Sequence, residues 1–437
     1  MEYLSRVLEF VTQKWEFKYH PLCKGLRLNH LLFADDMLLF CKWDTTSIML
    51  MLRAFPTFSA TSGLKINVSK SEVIFAGVSD AVKQDILQIS RFTEGVLPFR
   101  YLGLPIQAWR LTRQDCNILE EKVIARARGI GARKLSYAGR LTLINSMLNT
   151  LNNYWSSIFL ISKMVINRIV AIYRTYLWDG GIEYQRAPLV AWDKVCCSKK
   201  LGVLGIKNAE LWNIATIGKL VRWIYNKADR LWVQWIDHIY MKGAAWATYV
   251  PPADSNWNWR NICKVRVRMD AGYVNYSWMP DPKGYSVGSG YLWLQGMHPS
   301  VPWYSEIWDN WCVPKHSFIG WLIKYEALNT REILYKPHLA ATECCVLCEK
   351  VVKLICIFFS ECPYSKQIIE RIEDWLHLKL DQGIIQGTVL QKHTCRMAKL
   401  ACWYHIWLER NKCRIKMKLT RPDYIVKEIQ KLVHARL

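Results

Sequence analysis

Two adjacent carboxylates, Asp35 and Asp36, stand between two short apolar runs, residues 30–33 and 37–40. The runs carry no Gly or Pro and are too short for an average helix, so they read as two strands with a tight turn at residues 34–36. A carboxylate pair at a hairpin tip is a hard, oxygen-rich site. Mg²⁺ is commonly held by one or two carboxylates, with substrate phosphates completing its shell. Two such ions clamp the attacking and leaving oxygens of a phosphoryl displacement. The same dipeptide is also an ordinary hairpin turn, because Asp tolerates turn geometry. The second candidate is sulfur chemistry. Cys345 and Cys348 are spaced by two residues, and Cys356 and Cys362 follow. Two thiolates on a single turn reach one ion, as tetrahedral Zn²⁺ requires. Buried cysteines with no metal are the competing reading.

The elements that would position these groups can be read in outline. Residues 1–110 have an α+β pattern. A helix over residues 1–15 would present Leu4, Val7, Leu8 and Val11 on one face, and residues 46–58 repeat Met49, Leu52 and Phe55 at helical spacing. Ser62-Gly63 marks a turn, residues 65–75 alternate as a strand does, and residues 81–89 form a short amphipathic helix. From 110 to 240 the pattern is mostly helical. Thr112 and Asp115 form a helix start, and Ser136 can cap a second helix holding Leu141, Ile144, Leu148 and Leu151 inside. The polar faces of these helices carry Lys122, Arg126, Arg128, Arg133, Lys134 and Arg140. A solvated basic face is the plain explanation. Residues 241–300 read as a connector, interrupted by prolines and by Gly284, Gly288 and Gly290, with Trp257, Trp259 and Trp278 packing it onto its neighbours. The tail, residues 367–437, reads as helical and basic.

Lys and Arg outnumber Asp and Glu by 59 to 36, a formal charge of +23 over 437 residues. That excess favours a polyanionic partner. No uninterrupted apolar run is long enough to span a bilayer. The apolar stretch 158–173 is broken by Lys163, Asn167 and Arg168, so nucleic acid is preferred over membrane. The 15 cysteines, odd in number and scattered, do not form a secreted disulfide framework. With no signal peptide visible, the expectation is an intracellular protein, nuclear or cytoplasmic, in a reducing compartment. The 22 tryptophans spread along the chain, so most are expected in cores and a minority could stack on bases.

Phe33-Ala34-Asp35-Asp36 inside two apolar strands resembles the palm hairpin of reverse transcriptases. Residues 62–71 (Ser-Gly-Leu-Lys-Ile-Asn-Val-Ser-Lys-Ser) resemble the segment that follows it. Residues 97–105 (Leu-Pro-Phe-Arg-Tyr-Leu-Gly-Leu-Pro) resemble the segment that grips the primer end. The nearest likeness is to reverse transcriptases of plant non-LTR, LINE-type retrotransposons. Residues 135–140, 191–196 and 403–411 resemble stretches of the same plant proteins, although residues 201–205 replace a more glycine-rich run. Ile307-Trp308, residues 314–318 and residues 328–331 resemble the lead-in to the reverse-transcriptase zinc-binding domain. The resemblance implies a partial palm at 1–110, a helical thumb at 111–240, a connecting region at 241–300, a zinc-binding domain at 301–366 and a basic helical tail at 367–437. It implies an RNA-directed DNA polymerase acting on an RNA and DNA template-primer, and names no protein partner. Asp35 and Asp36 would hold Mg²⁺ and Lys70 would sit near the triphosphate. Tyr101, Leu102 and Gly103 would hold the primer end. Beside such a hairpin, the basic residues from Lys122 to Arg140 read as a surface tracking a phosphate backbone. Cys345, Cys348, Cys356 and Cys362 would hold Zn²⁺, with Cys356 where the family usually has histidine.

The family also needs a further palm aspartate and an upstream segment that contacts template and incoming nucleotide. Neither is recognisable before Asp35 in this sequence. The expectation is a truncated reverse transcriptase that lacks polymerase activity alone, or a zinc- and nucleic-acid-binding remnant without catalysis.

Overall fold

The structure, a computed structural model, describes the chain except residues 1, 108, 130–133, 182, 184–186, 276, 297–298, 329–344, 350–358, 360, 381–386 and 417, and the side chains of 147–152. It is mostly helical with four small two-stranded sheets among the described residues. No helix among them is long and apolar enough to cross a membrane. The chain divides into two compact units, each made of two segments. One comprises residues 1–115 and 216–290, the other residues 116–215 and 291–437.

The core of the first unit is set by the helices Glu2–Val11 and Thr45–Ser62. Leu4, Leu8 and Val11 pack against Leu50, Met51, Ala54, Phe55 and Phe58. The buried stripe of the second helix therefore lies one residue away from Met49, which is exposed. Asp44 caps that helix by accepting from the Ser47 N–H at 3.0 Å. Gly63 closes it at φ +71°, a conformation open to glycine at little cost. The strands His30–Phe33 and Asp36–Leu39 pair antiparallel, with Met37 and Leu39 packed on the core. Alternation thus turns one face of the hairpin inward and fixes its register.

Residues 65–75 do not form the expected strand. Residues Val68–Lys70 make a 3₁₀ turn, and only Glu72–Val73 pair, in parallel with Thr93–Glu94. Polar side chains account for the difference. The Ser69 hydroxyl donates to Asn67 Oδ1 at 2.7 Å and the Ser71 hydroxyl to the Asn67 carbonyl at 2.9 Å. These local bonds compete with a strand ladder. The stretch read as a connector holds a thirteen-residue helix, Trp257–Met269. Trp259 and Trp278 are buried, and Trp259 stacks on Tyr240 at 5.0 Å.

In the second unit, Ser136 caps Tyr137–Leu143 by accepting from the Gly139 N–H at 3.3 Å. The helix Lys163–Asp179 ends at Gly180, φ +70°. Gly202, also at positive φ, closes a 3₁₀ turn, so the stretch 201–205 still makes a tight turn. A Cβ there would meet the Trp303 ring at 2.8 Å, and the Gly202 carbonyl accepts from the indole of fully buried Trp321 at 2.8 Å. The helix Pro314–Lys324 packs on Tyr137–Leu143 and on the 28-residue helix Val389–Lys416. Asp309 ties the long helix in place, accepting from His393 at 2.6 Å and Arg396 at 2.9 Å.

Candidate metal centre

The sulfurs of Cys345, Cys348 and Cys362 lie within 4.8 Å of one another, the one such group of three ligating side chains among the described residues. Cys345 and Cys348 come from one turn, as their spacing predicts. The Glu349 N–H donates to the Cys345 carbonyl at 2.8 Å to close it. Cys362 arrives from elsewhere in sequence, as the residue preceding the helix Pro363–Leu376. Proline at the first helical position suits that start, since its missing N–H has no helical partner to lose. Cys345 and Cys362 are buried and Cys348 is half-buried.

The donor set fits zinc. A tetrahedral ion with Zn–S near 2.3 Å requires sulfurs about 3.8 Å apart, and Cys345 Sγ lies 3.9 Å from Cys362 Sγ. The Leu347 N–H donates to Cys345 Sγ at 3.4 Å and would stay on the sulfur if a metal took the thiol proton. The Cys345 thiol beside it and the Ser365 N–H hold the Cys362 thiol below the ordinary thiol range, against the burial that opposes ionisation. The same thiol contact and burial push the Cys345 thiol up. Two sulfurs sharing one proton are poised to lose it to a metal. Cys356, expected as the fourth ligand, lies outside the described residues. With a fourth sulfur the shell would be closed, and the bound ion would supply folding energy with no open position for chemistry.

Sequence reasoning missed the groups behind the sulfurs. The Leu347 N–H could have been anticipated from the two-residue spacing of the cysteines. Cys413, whose thiol lies 3.8 Å from the Val346 carbonyl, comes from a distant helix and carries no local signal.

Asp35 and Asp36 are exposed at the hairpin tip, with Phe33 opposite Asp36. The two-residue turn puts Ala34 at φ +52°, a left-handed conformation uncommon for a residue with a Cβ. The base of the hairpin is fixed by a polar chain. Asn29 Nδ2 donates to the Leu8 carbonyl at 2.8 Å, and His30 bonds Asn29 Oδ1 at 2.6 Å and Ser5 Oγ at 2.7 Å. Because the Asn29 amide nitrogen is already donating, His30 Nδ1 carries its proton and Nε2 accepts from Ser5. Burial holds His30 below the ordinary histidine range, consistent with this neutral form. Among the described residues no third ligating side chain joins Asp35 and Asp36. Lys70 is exposed on its 3₁₀ turn.

Tyr101, Leu102 and Gly103 form a hairpin turn. Tyr101 pairs with Leu104, and Leu102 and Gly103 both have positive φ, +51° and +78°. Two left-handed residues in a two-residue loop match the twist of the flanking strands.

The helix Arg113–Gly129 starts as read. Asp115 Oδ2 accepts from the Thr112 N–H at 2.6 Å, and Thr112 Oγ1 accepts from the Asp115 N–H at 3.2 Å. Lys122, Arg126, Arg128 and Lys134 are exposed, and Arg133 lies outside the described residues. Arg140 corrects the reading. It is buried, and its Nη1 donates to the carbonyls of Leu177 and Trp178 at 3.1 and 3.2 Å. A guanidinium there satisfies carbonyls left free at a helix end and meets the negative pole of that helix.

Residues 285–368, which contain the three clustered sulfurs, match the family described as zinc-binding in reverse transcriptase. Over 163 residues, 36% of this chain, the sequence is 30% identical to an Arabidopsis thaliana protein named as a ribonuclease H protein. The chain spans about a quarter (26%) of the length of that relative. Sulfur geometry and family match both point to Zn²⁺, and the three clustered sulfurs lie in the part of the chain that is similar to the zinc-binding region of reverse transcriptases.

Proposed function

We propose that this chain is the zinc-organised C-terminal region of a LINE-type retrotransposon reverse transcriptase, of the plant type. In this reading residues 1–110 are a partial palm, 111–240 a thumb-like helical region, 241–300 a connection, 301–366 the zinc-binding domain and 367–437 a basic tail. The observation that carries it is the cluster of Cys345, Cys348 and Cys362, lying inside the matched stretch. Cys356 would complete a structural Zn²⁺ site. Lys122, Arg126, Arg128 and Lys134 would neutralise phosphates of an RNA or DNA template-primer. Tyr101, Leu102 and Gly103 would meet the primer end, and Asp35 and Asp36 would be the Mg²⁺ ligands beside which Lys70 meets the triphosphate.

A specific observation favours a second reading, in which the chain binds zinc and nucleic acid without catalysis. Asp35 and Asp36 have no third carboxylate beside them among the described residues, and a two-metal site needs more ligands than one hairpin tip offers. Primer extension and zinc content, measured on one purified sample, separate the two. Zinc with no incorporation is the expected result and supports the second reading as the behaviour of this chain. Mg²⁺-dependent incorporation that disappears in Asp35→Ala would overturn the expectation that the chain lacks polymerase activity alone and would restore Asp35 as a catalytic ligand.

A further inference from the structure

Three stretches already singled out by resemblance meet around one cavity in the second unit. Residues 135–140, 314–318 and 403–411 all contribute to it, and its volume is about 270 Å³. Its walls include the rings of Tyr137, Tyr404 and Trp407, each half-buried and so presenting part of its surface. The rings are held from behind. Tyr137 stacks on buried Phe318 at 5.2 Å and 17°. Tyr404 stacks on buried His316 at 4.4 Å. The Arg140 guanidinium, fixed by the end of the Lys163–Asp179 helix, lies 5.3 Å from the Tyr137 ring centre.

The charge at the cavity has one sign. Lys315 is exposed, with its Nζ 5.0 Å from the Tyr404 ring centre, and no residue lining the cavity is acidic. Lys315, His405 and Arg436 all act on the His316 ring, whose two nitrogens are buried without hydrogen-bond partners. Rings with cations beside them suit a ligand with flat π-faces and a negative backbone. A single strand of nucleic acid offers both, and its bases can be splayed out of the strand. A duplex keeps those faces stacked. An apolar peptide would leave Lys315 without a counter-charge.

We propose that Tyr137, Tyr404 and Trp407 form a stacking platform for the bases of single-stranded RNA or DNA, with Lys315 on the adjoining phosphate. The inference rests on the nucleic-acid reading above and gives that partner a defined site. Its test uses the full chain, with labelled oligodeoxythymidylate, oligouridylate and a DNA duplex of equal length, titrated at one salt concentration. The variant Tyr404→Leu/Trp407→Leu keeps apolar volume but loses the ring faces, and unchanged zinc content and circular dichroism report its fold. Affinity for one or both single strands should fall about tenfold, while duplex affinity stays put. Equal loss for strand and duplex, or no loss, overturns the platform and leaves the nucleic-acid reading standing. No binding of any of the three by the wild type overturns both. Photocrosslinking of a 5-iodouracil oligonucleotide to the wild type gives an answer independent of folding. Adducts on the peptides holding Tyr137, Tyr404 or Trp407 support the platform, and adducts confined to other regions overturn it.

Discussion

Cys345 Sγ sits 3.9 Å from Cys362 Sγ although seventeen positions of sequence separate them. The contact joins a cysteine turn to the start of the helix Pro363–Leu376. If a metal bridges it, metal loss should be felt at both ends. We expect Cys362→Ser to raise hydrogen exchange at the amides of Leu347, Glu349 and Lys366, while the amides of residues 30–39 keep wild-type protection. Uniform loss of protection in both regions would mean that the cysteines support the whole fold and not a local site.

Arg140 is expected to act on stability and not on phosphate binding. Arg140→Ala leaves the carbonyls of Leu177 and Trp178 without their charged donor, at a cost of about 2 kcal/mol. Gly180→Ala should be destabilising for the same reason, because a Cβ there would meet the guanidinium at 2.7 Å. Denaturant unfolding measures both. A stable Arg140→Ala protein with weakened nucleic-acid binding would reverse the assignment.

The exposed basic residues should behave in the opposite way. Charge reversal at Lys122, Arg126 and Arg128 together should flatten the salt dependence of nucleic-acid affinity, because each neutralised phosphate contributes to the slope. The helix should lose only a little stability: Arg126 and Arg128 stand in its last turn, where acids oppose the helix dipole, but all three side chains are exposed. An unchanged slope would place the electrostatic footprint on other residues.

His316 makes stability depend on pH. Burial, with His405, Lys315 and Arg436 nearby, lowers it to about 3 from an ordinary 6.5. Between those values the unfolded chain takes a proton that the folded chain refuses, so stability is full above pH 6.5 and falls as pH drops toward 3. The slope can reach about 1.4 kcal/mol per pH unit. His316→Phe keeps a ring against Tyr404 and should flatten this limb. A wild-type and variant pair with parallel pH profiles would contradict it.

The sequence disclosed what local chemistry decides. The Thr112 and Asp115 capping pair, the Ser136 cap and the hairpin at Ala34 each need only a few neighbouring residues, and all are present. What it hid was decided across distance. Arg140 looks like a surface cation until the end of a helix 37 residues away takes its guanidinium. Residues 65–75 alternate correctly, but Asn67 gathers the neighbouring serine hydroxyls and turns the chain. For the sulfurs, the pair at 345 and 348 was legible from spacing, whereas Cys413 approaches from another helix. The stacking platform is the extreme case, because Tyr137 comes from a segment far in sequence from the helix that carries Tyr404 and Trp407.

Metal analysis of the purified wild-type chain, beside Cys348→Ser, tests the central claim most directly. One Zn²⁺ per wild-type chain, lost or sharply reduced in the variant, is the predicted result. A folded wild-type protein with no zinc would contradict it and leave Cys345, Cys348 and Cys362 as buried or half-buried thiols with no metal to organise them.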